Sequence, residues 1–194
     1  MVKVQTIIAG LYQENCYLIY DDNSLLVIDP GGKSKKLIEI IDLLQREVKA
    51  ILLTHGHYDH TGACDDLKNK YHCPIYASKD DEPLLRNRIN GSIVTSEINW
   101  LTGNSLIFGN INVEIFYTPG HSEGSVMYKI EDKLFSGDTL FRLSVGRTDL
   151  YGGSNHKLIQ SLRLIETFDE NVMVYPGHDE ATTIGFELDN NPYL

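Results

Sequence analysis

Cysteine is scarce in this chain: Cys16, Cys64 and Cys73 are three in 194 residues, an odd number with no Cys-x-x-Cys among them. That argues against a disulfide framework and a thiolate zinc knuckle, and a reducing, cytoplasmic setting is expected. Long apolar runs are missing too. The opening stretch Met1-Val2-Lys3-Val4-Gln5-Thr6-Ile7-Ile8 is broken by polar residues and has no small-residue cleavage site, so no export signal is expected. Nowhere do the roughly 20 apolar residues of a membrane-spanning helix follow one another. Positive charge is short: 17 Lys plus Arg stand against 27 Asp plus Glu, a formal charge of -10. Such a surface repels phosphate backbones and anionic lipid, so neither nucleic acid nor a membrane is an expected partner. With no linker, low-complexity tract or short repeat to divide it, the chain is expected to form one domain over residues 1–194.

Alternating and β-branched runs closed by polar or Gly/Pro residues predict strands over 2–8, 15–20 and 24–29. Asp21-Asp22-Asn23 is a turn that pairs the last two as a hairpin. After Pro30-Gly31-Gly32, the spacing of Leu37, Ile40, Ile41 and Leu44 predicts a helix from Ser34 with one buried face. Residues 49–54 read as a buried strand that runs straight into a histidine cluster. The later half predicts strands over 105–108, 113–117, 125–130, 133–135 and 171–175. It also predicts a helix capped by Ser154 or Asn155 that buries Leu158, Leu162 and Ile165. Residues 77–100, with helix-like pieces around 81–88, read either as a flap over a site or as a connection.

The chemistry concentrates in His55-Gly56-His57-Tyr58-Asp59-His60, which holds three of the seven histidines. Neutral imidazole and carboxylate are donors that suit zinc, iron and manganese. In an extended segment His55 and His57 face the same side and can share one ion, while Asp59 and His60 lie where the chain turns and can be aimed at another. His121 after Thr118-Pro119-Gly120, His178 after Tyr175-Pro176-Gly177, and Asp138 after Ser136-Gly137 are each ambiguous on pattern alone. Like His55, each follows a strand-like run, and loops that trail strands ending at one sheet edge converge. His72 and His156 stand in polar segments without companion ligands and read as surface or structural residues; Cys64 and Cys73 read as packing.

Taken together these motifs resemble the metallo-β-lactamase superfamily over almost the whole chain. The His-x-His-x-Asp-His signature stands as His55, His57, Asp59 and His60, backed in the family's order by Asp29, His121, Asp138 and His178. The resemblance implies an α/β fold, a four-layer αββα sandwich with the metals at one edge between the two sheets. It implies that His55, His57 and His121 hold one ion and Asp59, His60 and His178 a second, with Asp138 bridging. Asp29 would then support the ligand loop rather than bind metal. Among branches the match is to glyoxalase II-like hydrolases of short form, carried by Gly137-Asp138-Thr139-Leu140-Phe141, Val145-Gly146-Arg147-Thr148-Asp149 and the tail Thr182-Thr183-Ile184-Gly185 with Glu187 and Asn191-Pro192. The longer enzymes grip glutathione partly through an extra helical domain; with the sequence ending at Leu194, that grip is expected to be absent.

The expected reaction is hydrolysis of a small-molecule acyl thioester by metal-bound hydroxide, with two divalent ions, zinc first and iron or manganese as alternatives. Asp59 is the expected proton acceptor, and Arg147 a contact for an anionic substrate or else a structural ion pair. Other readings keep the same fold: a persulfide dioxygenase with one iron, which shares the Gly146-Arg147-Thr148-Asp149 segment, a lactonase, or a non-catalytic metal-binding interaction protein. Val145 stands where the dioxygenase branch has a cysteine, and all seven candidate ligands are present, which favours the hydrolase. An antibiotic-cleaving β-lactamase is disfavoured because Asp138 stands where many of those enzymes carry cysteine. A nuclease is disfavoured by the net charge. The acyl group, the thiol carrier and the oligomeric state are not legible.

Overall fold

The computed structural model describes residues 1–87, 89 and 93–194. The chain opens with β1 (Lys3–Ala9), β2 (Glu14–Tyr20) and β3 (Ser24–Ile28), then α1 (Ser34–Leu44) and β4 (Glu47–Leu52). A one-turn α2 (Tyr58–Thr61), α3 (Cys64–Tyr71), β5 (Ile75–Ala77), α4 (Glu82–Arg86) and β6 (Ile98–Trp100) complete the first half. The second half runs β7 (Ser105–Phe108), β8 (Ile111–Tyr117), β9 (Val126–Ile130), β10 (Lys133–Gly137), β11 (Leu140–Phe141), β12 (Ser144–Val145), α5 (Asn155–Leu162), β13 (Met173–Pro176), β14 (Thr182–Thr183) and α6 (Ile184–Asn190). The six strands of the first half make one sheet in chain order, antiparallel through β3 and parallel from there to β6. The second sheet has the order β14-β13-β10-β9-β8-β7, in which only β10 and β13 pair in parallel.

Period-two alternation explains how the layers stack. In β3, Leu25 and Val27 point to a core shared with Leu37 and Ile41 of α1 and Leu67 of α3, while Leu26 and Ile28 point the other way. Those two meet Val113, Ile115, Tyr128 and Phe135 of the second sheet in a core between the sheets. Met127 and Leu134 turn outward to a third core with Leu158 and Leu162 of α5 and Ile184 of α6. Three apolar layers therefore separate four structural ones, the expected αββα sandwich. Ser154 caps α5 through its hydroxyl, which accepts from Lys157 N–H.

The expected elements stand within a few residues of their predicted bounds, and β2 and β3 pair as the hairpin. Period-based reading missed short pieces: α2, α3, β5, β6, β11, β12, β14 and α6. The helix expected around 81–88 is a 3-10 turn over Lys79–Asp81 followed by α4; Arg88 lies outside the described residues. Residues 77–100 join β5 to β6 within the first sheet, with Leu84 and Leu85 buried. All three cysteines are buried and free, as the packing reading requires. Among the described residues no helix is long and apolar enough to cross a membrane.

Polar bonds join the two sheets at one edge. Val126 N–H donates to Thr54 C=O at 2.8 Å, the Tyr128 hydroxyl to Leu53 C=O at 2.8 Å, and Asn15 N–H to Gly177 C=O at 2.8 Å. Behind that edge, Phe135 stacks on Tyr175 at 5.2 Å between centroids and meets Tyr17 edge-on at 5.3 Å. Phe135→Ala should lower the unfolding free energy by about 3–5 kcal/mol, read from urea midpoints at constant slope. Ile107→Ala, at a position 73% exposed, should change it by less than about 0.5 kcal/mol. Equal effects would show that packing between the sheets is not what holds this fold together.

Candidate metal centre

Strand ends decide what meets at this edge. Asp29 follows β3, Thr54 and His55 follow β4, His121 follows β8, Asp138 follows β10 and His178 follows β13. β2 runs the opposite way and brings its first residues, Glu14 and Asn15, to the same place. The one-turn α2 aims Asp59 and His60 inward, with His60 N–H closing on His57 C=O at 3.1 Å.

The network beneath the histidines starts at Asp29, 2% exposed. Its carboxylate accepts from Thr54 N–H at 2.7 Å, from the Thr54 hydroxyl at 2.5 Å and from His60 Nδ1 at 3.1 Å. Because Thr54 gives its only hydroxyl proton to Asp29, it must accept from His55 Nδ1, 3.0 Å away. Similar logic sets His121, whose Nδ1 donates to Arg147 C=O at 2.8 Å, and His178, whose Nδ1 donates to Tyr12 C=O at 3.1 Å. Each anchored Nδ1–H leaves Nε2 as the ring atom aimed at the middle of the site. His57 is turned the other way and presents Nδ1, 2.8 Å from His121 Nε2.

Among the described residues, ligand atoms of His55, His57 and His121 lie within 4.8 Å of one another, and so do those of Asp59, His60 and His178. Asp138 stands between the groups, with Oδ1 3.4 Å from His60 Nε2, and Oδ2 3.4 Å from His121 Nε2 and 3.7 Å from His178 Nε2. His55 Nε2, His60 Nε2 and Asp138 Oδ1 are buried without a hydrogen-bond partner in the structure. Such atoms are costly to bury, and divalent ions would satisfy all of them, so the donor set fits a two-ion centre. Asp29, His55 and His60 also cluster within that distance. We discount this third group because Asp29 already accepts three hydrogen bonds and faces the ligand loop from behind.

The electrostatics also call for cations. Burial opposes a proton on His60, yet the carboxylates of Asp138, Asp29 and Glu14 hold it up to about 10. Burial and the neighbouring His121 push His57 down to about 4, and burial with the surrounding imidazoles pushes His55 well below its usual value. Burial opposes the Asp59 charge, but the hydrogen bond from His178 and the charge of His60 keep it down to about 2. Burial drives the Glu14 carboxyl far above the usual carboxylate range, and neither of its oxygens has a hydrogen-bond partner in the structure.

All seven expected ligand positions and Asp29 therefore come together. Arg147 lines the same cleft, of about 720 Å³, but its guanidinium forks onto Asp149 at 2.7 Å on both arms, and the part it plays at His121 is through its backbone carbonyl. His156 is at the surface, bonded to Gln160, and His72 closes α3 in a left-handed conformation. Glycine matters at two places: a Cβ on Gly177 would stand 2.2 Å from Asp138 Oδ1, and one on Gly120, at φ +149, would stand 2.4 Å from the backbone of Leu158.

Two clamps escaped the sequence reading. Asp81, 1% exposed, accepts from Gly56 N–H, Gly124 N–H and the Ser122 hydroxyl, each at 2.7 Å, and so ties the His55–His60 loop to the His121 loop. Asn15 donates through Nδ2 to Pro176 C=O at 3.0 Å and Asp179 C=O at 2.8 Å, which holds the loop of His178 from both sides. Neither stands near another ligand in sequence. One Asp within the acidic run Asp80-Asp81-Glu82 and an Asn at a strand start carry no spacing signal.

Comparison with known proteins agrees with this geometry. Residues 9–178 match the family model described as the metallo-beta-lactamase superfamily. The chain is 36% identical over 198 residues to a probable metallo-hydrolase, YqgX, of Bacillus subtilis (strain 168), with 95% of this chain and 94% of that one covered. It is 33% identical over 208 residues to the hydroxyacylglutathione hydrolase GloC of Haemophilus influenzae (strain Rd), covering 100% and 98%. Among solved structures it is similar to the BLEG-1 B3 metallo-beta-lactamase, with TM-score 0.93, 37% identity and 99% of each chain covered. It is also similar to TTHA1623 in a di-iron-bound form, with TM-score 0.88, 34% identity and coverage of 98% and 100%.

Asp81→Ala removes one acceptor from three buried donors and should weaken metal binding about 10–100-fold, as losses in the shell around metal ligands do. Asp80→Ala, one residue earlier on the exposed side of the turn, should leave it unchanged. Metal retained per chain after dialysis against a graded chelator reads both. Equal retention by the Asp81 variant and the parent would show that the two loops hold their own positions.

Proposed function

As the chain belongs to the metallo-beta-lactamase superfamily, we propose that it is a hydrolase holding two divalent ions, zinc in first place, and that it cleaves small-molecule acyl thioesters. The observation that carries this reading is the convergence of unpartnered buried donors on one cleft, His55 Nε2, His60 Nε2 and Asp138 Oδ1 among them. In the proposed assignment His55, His57 and His121 would hold one ion and Asp59, His60 and His178 the other, with Asp138 between the two groups serving both. Asp29 fixes the ligand loop from behind.

Ions held there would polarise an acyl carbonyl and bring the pKa of a water to about 7. The chain's own contribution is orientation. Thr54, Asp29, the Arg147 carbonyl and the Tyr12 carbonyl hold four imidazole rings by Nδ1, which turns each Nε2 toward the cleft, and His60, held up to about 10, gives up its Nε2 proton when an ion binds. Asp59, ionised and 3.4 Å from His178 Nε2, stands at the cleft wall, where it would take up the proton that a water gives up. A thiolate leaves without strong acid assistance, so the site needs no protonated group dedicated to the leaving atom. The name of the relative GloC supports a thioester, and the -10 charge supports a small molecule over nucleic acid.

The likeness to BLEG-1 favours a second reading, hydrolysis of a β-lactam amide at the same centre. The two readings and the one-iron dioxygenase separate in a single set of assays on purified protein. About two metal ions per chain by elemental analysis, with thioester hydrolysis lowered at least about 100-fold by His57→Ala and by Asp138→Ala, is the expected result. Turnover of a chromogenic cephalosporin without thioester hydrolysis would replace this reading with the second. One iron per chain with oxygen uptake on glutathione persulfide would overturn both.

A further inference from the structure

On the far side of Tyr12 and Tyr58 from the metal cleft lies a second cavity of about 500 Å³, within the usual range for small-molecule sites. The two cavities share Tyr12, Tyr58 and Asp59 as a common wall, and the tyrosine rings meet edge-on at 5.6 Å between centroids. Its inner surface is apolar, built from Ile7, Ile8, Leu11 and Leu37, and Ile8 and Leu11 stand 60% and 96% exposed. The charged exceptions are Asp59, in the wall shared with the metal cleft, and Lys33 and Lys36 away from that wall. In a chain with ten more acidic than basic residues, neither lysine has a hydrogen bond or ion pair among the described residues. Most other lysines do: Lys49, Lys70, Lys79, Lys129, Lys133 and Lys157 each stand against a carboxylate.

We propose that this cavity is the subsite for the distal arm of the substrate, an unbranched apolar chain ending in an anion, which crosses the Tyr12–Tyr58 wall and ends at Lys33 and Lys36. The inference rests on the hydrolase reading for the other end of that arm. Three features select this occupant. The two cavities adjoin along Tyr12, Tyr58 and Asp59, and the tyrosines stand 61% and 37% exposed, so one molecule laid over their outer edges can reach both. The apolar surface takes a chain with no hydrogen-bonding needs of its own. Two unpaired ammonium groups complement an anion, where a neutral chain would leave them idle. The anion is a carboxylate or a phosphate monoester. A carboxylate would belong to a dicarboxylic acyl group, and a phosphate to the thiol carrier.

The test is binding of octanoate, octyl phosphate and 1-octanol to the metal-loaded protein by titration calorimetry, with the Lys33→Glu/Lys36→Glu double variant beside the parent. Both positions are exposed on the surface, and the reversal is expected to leave the fold intact. Octanoate or octyl phosphate should bind the parent, and the double variant should lose at least tenfold in affinity for it while 1-octanol is unchanged. Whichever anion binds more tightly identifies the source of the arm. Ile8→Asp, which puts a carboxylate into the apolar wall, should weaken all three probes. Anion binding that survives the charge reversal but vanishes on removal of the metal would place the head group on the ions and overturn the proposal. No binding at millimolar probe, or a dimer whose interface protects residues 7–12 from hydrogen exchange, would overturn it as well. None of these readouts needs turnover, so a failed thioester assay leaves this result standing on its own.

Discussion

A single buried carboxylate, Asp29, organises the centre. Its partners are the amide and hydroxyl of Thr54 and Nδ1 of His60, and through Thr54 it reaches Nδ1 of His55. Removing such an acceptor from a dry interior leaves several donors unsatisfied at about 1–3 kcal/mol each. The bonds also carry direction: the Nδ1 edges of His55 and His60 turn toward Asp29, so their Nε2 atoms turn away from it, into the cleft. Asp29 can do this because its backbone is left-handed, at φ +49, which turns the chain out of β3 and lets the carboxylate reach back beneath the next strand.

The two sheets supply opposite halves of what that network orients. The first brings His55, His57, Asp59 and His60 on one loop after β4, and the second brings His121, Asp138 and His178 from three separate strand ends. Assembly therefore depends on how the sheets meet at one edge, and polar bonds fix that meeting: Val126 to Thr54, Asn15 to Gly177, Asp81 to the loops of both halves. Apolar packing between the sheets is non-directional and would tolerate a small slide. Hydrogen bonds at 2.7–2.8 Å are not tolerant in that way, and they are concentrated where a slide would separate the ligands.

Much of this was legible in the order of residues. The hexapeptide His55–His60 declared its chemistry by local density, period and spacing marked most of the strands and two helices, and the four layers came from the family resemblance that the motifs carry. His121, Asp138 and His178 were legible only by position, each just past a strand, because isolated ligands leave no local pattern. Asp81 and Asn15 were not legible at all. Their partners are backbone amides and carbonyls, groups that every residue carries, so nothing in the sequence marks which ones a side chain will reach. The brief strands β5 and β6 were missed for a related reason: three residues are too few to display a period, and pairing, of β5 with β4 and of β6 with β5, decides their state.

At Arg147 the structure shows the ion pair that was one of its two expected roles, together with a backbone contact that no side-chain reading anticipates. As a cation beside an expected ligand it invites a reading as an anion-binding residue, yet its guanidinium is committed to Asp149 in an exposed pair, worth little in water. Its carbonyl, which carries no information in the sequence, sets the tautomer of His121. The same holds at Tyr12, whose carbonyl accepts from His178 while its ring walls two cavities. The loop between β1 and β2 is thus coupled to the centre in two ways at once. Its backbone orients a candidate ligand, and its side chain bounds the space beside it, so a change in the loop's path would alter both the ligand's orientation and the shape of the cleft.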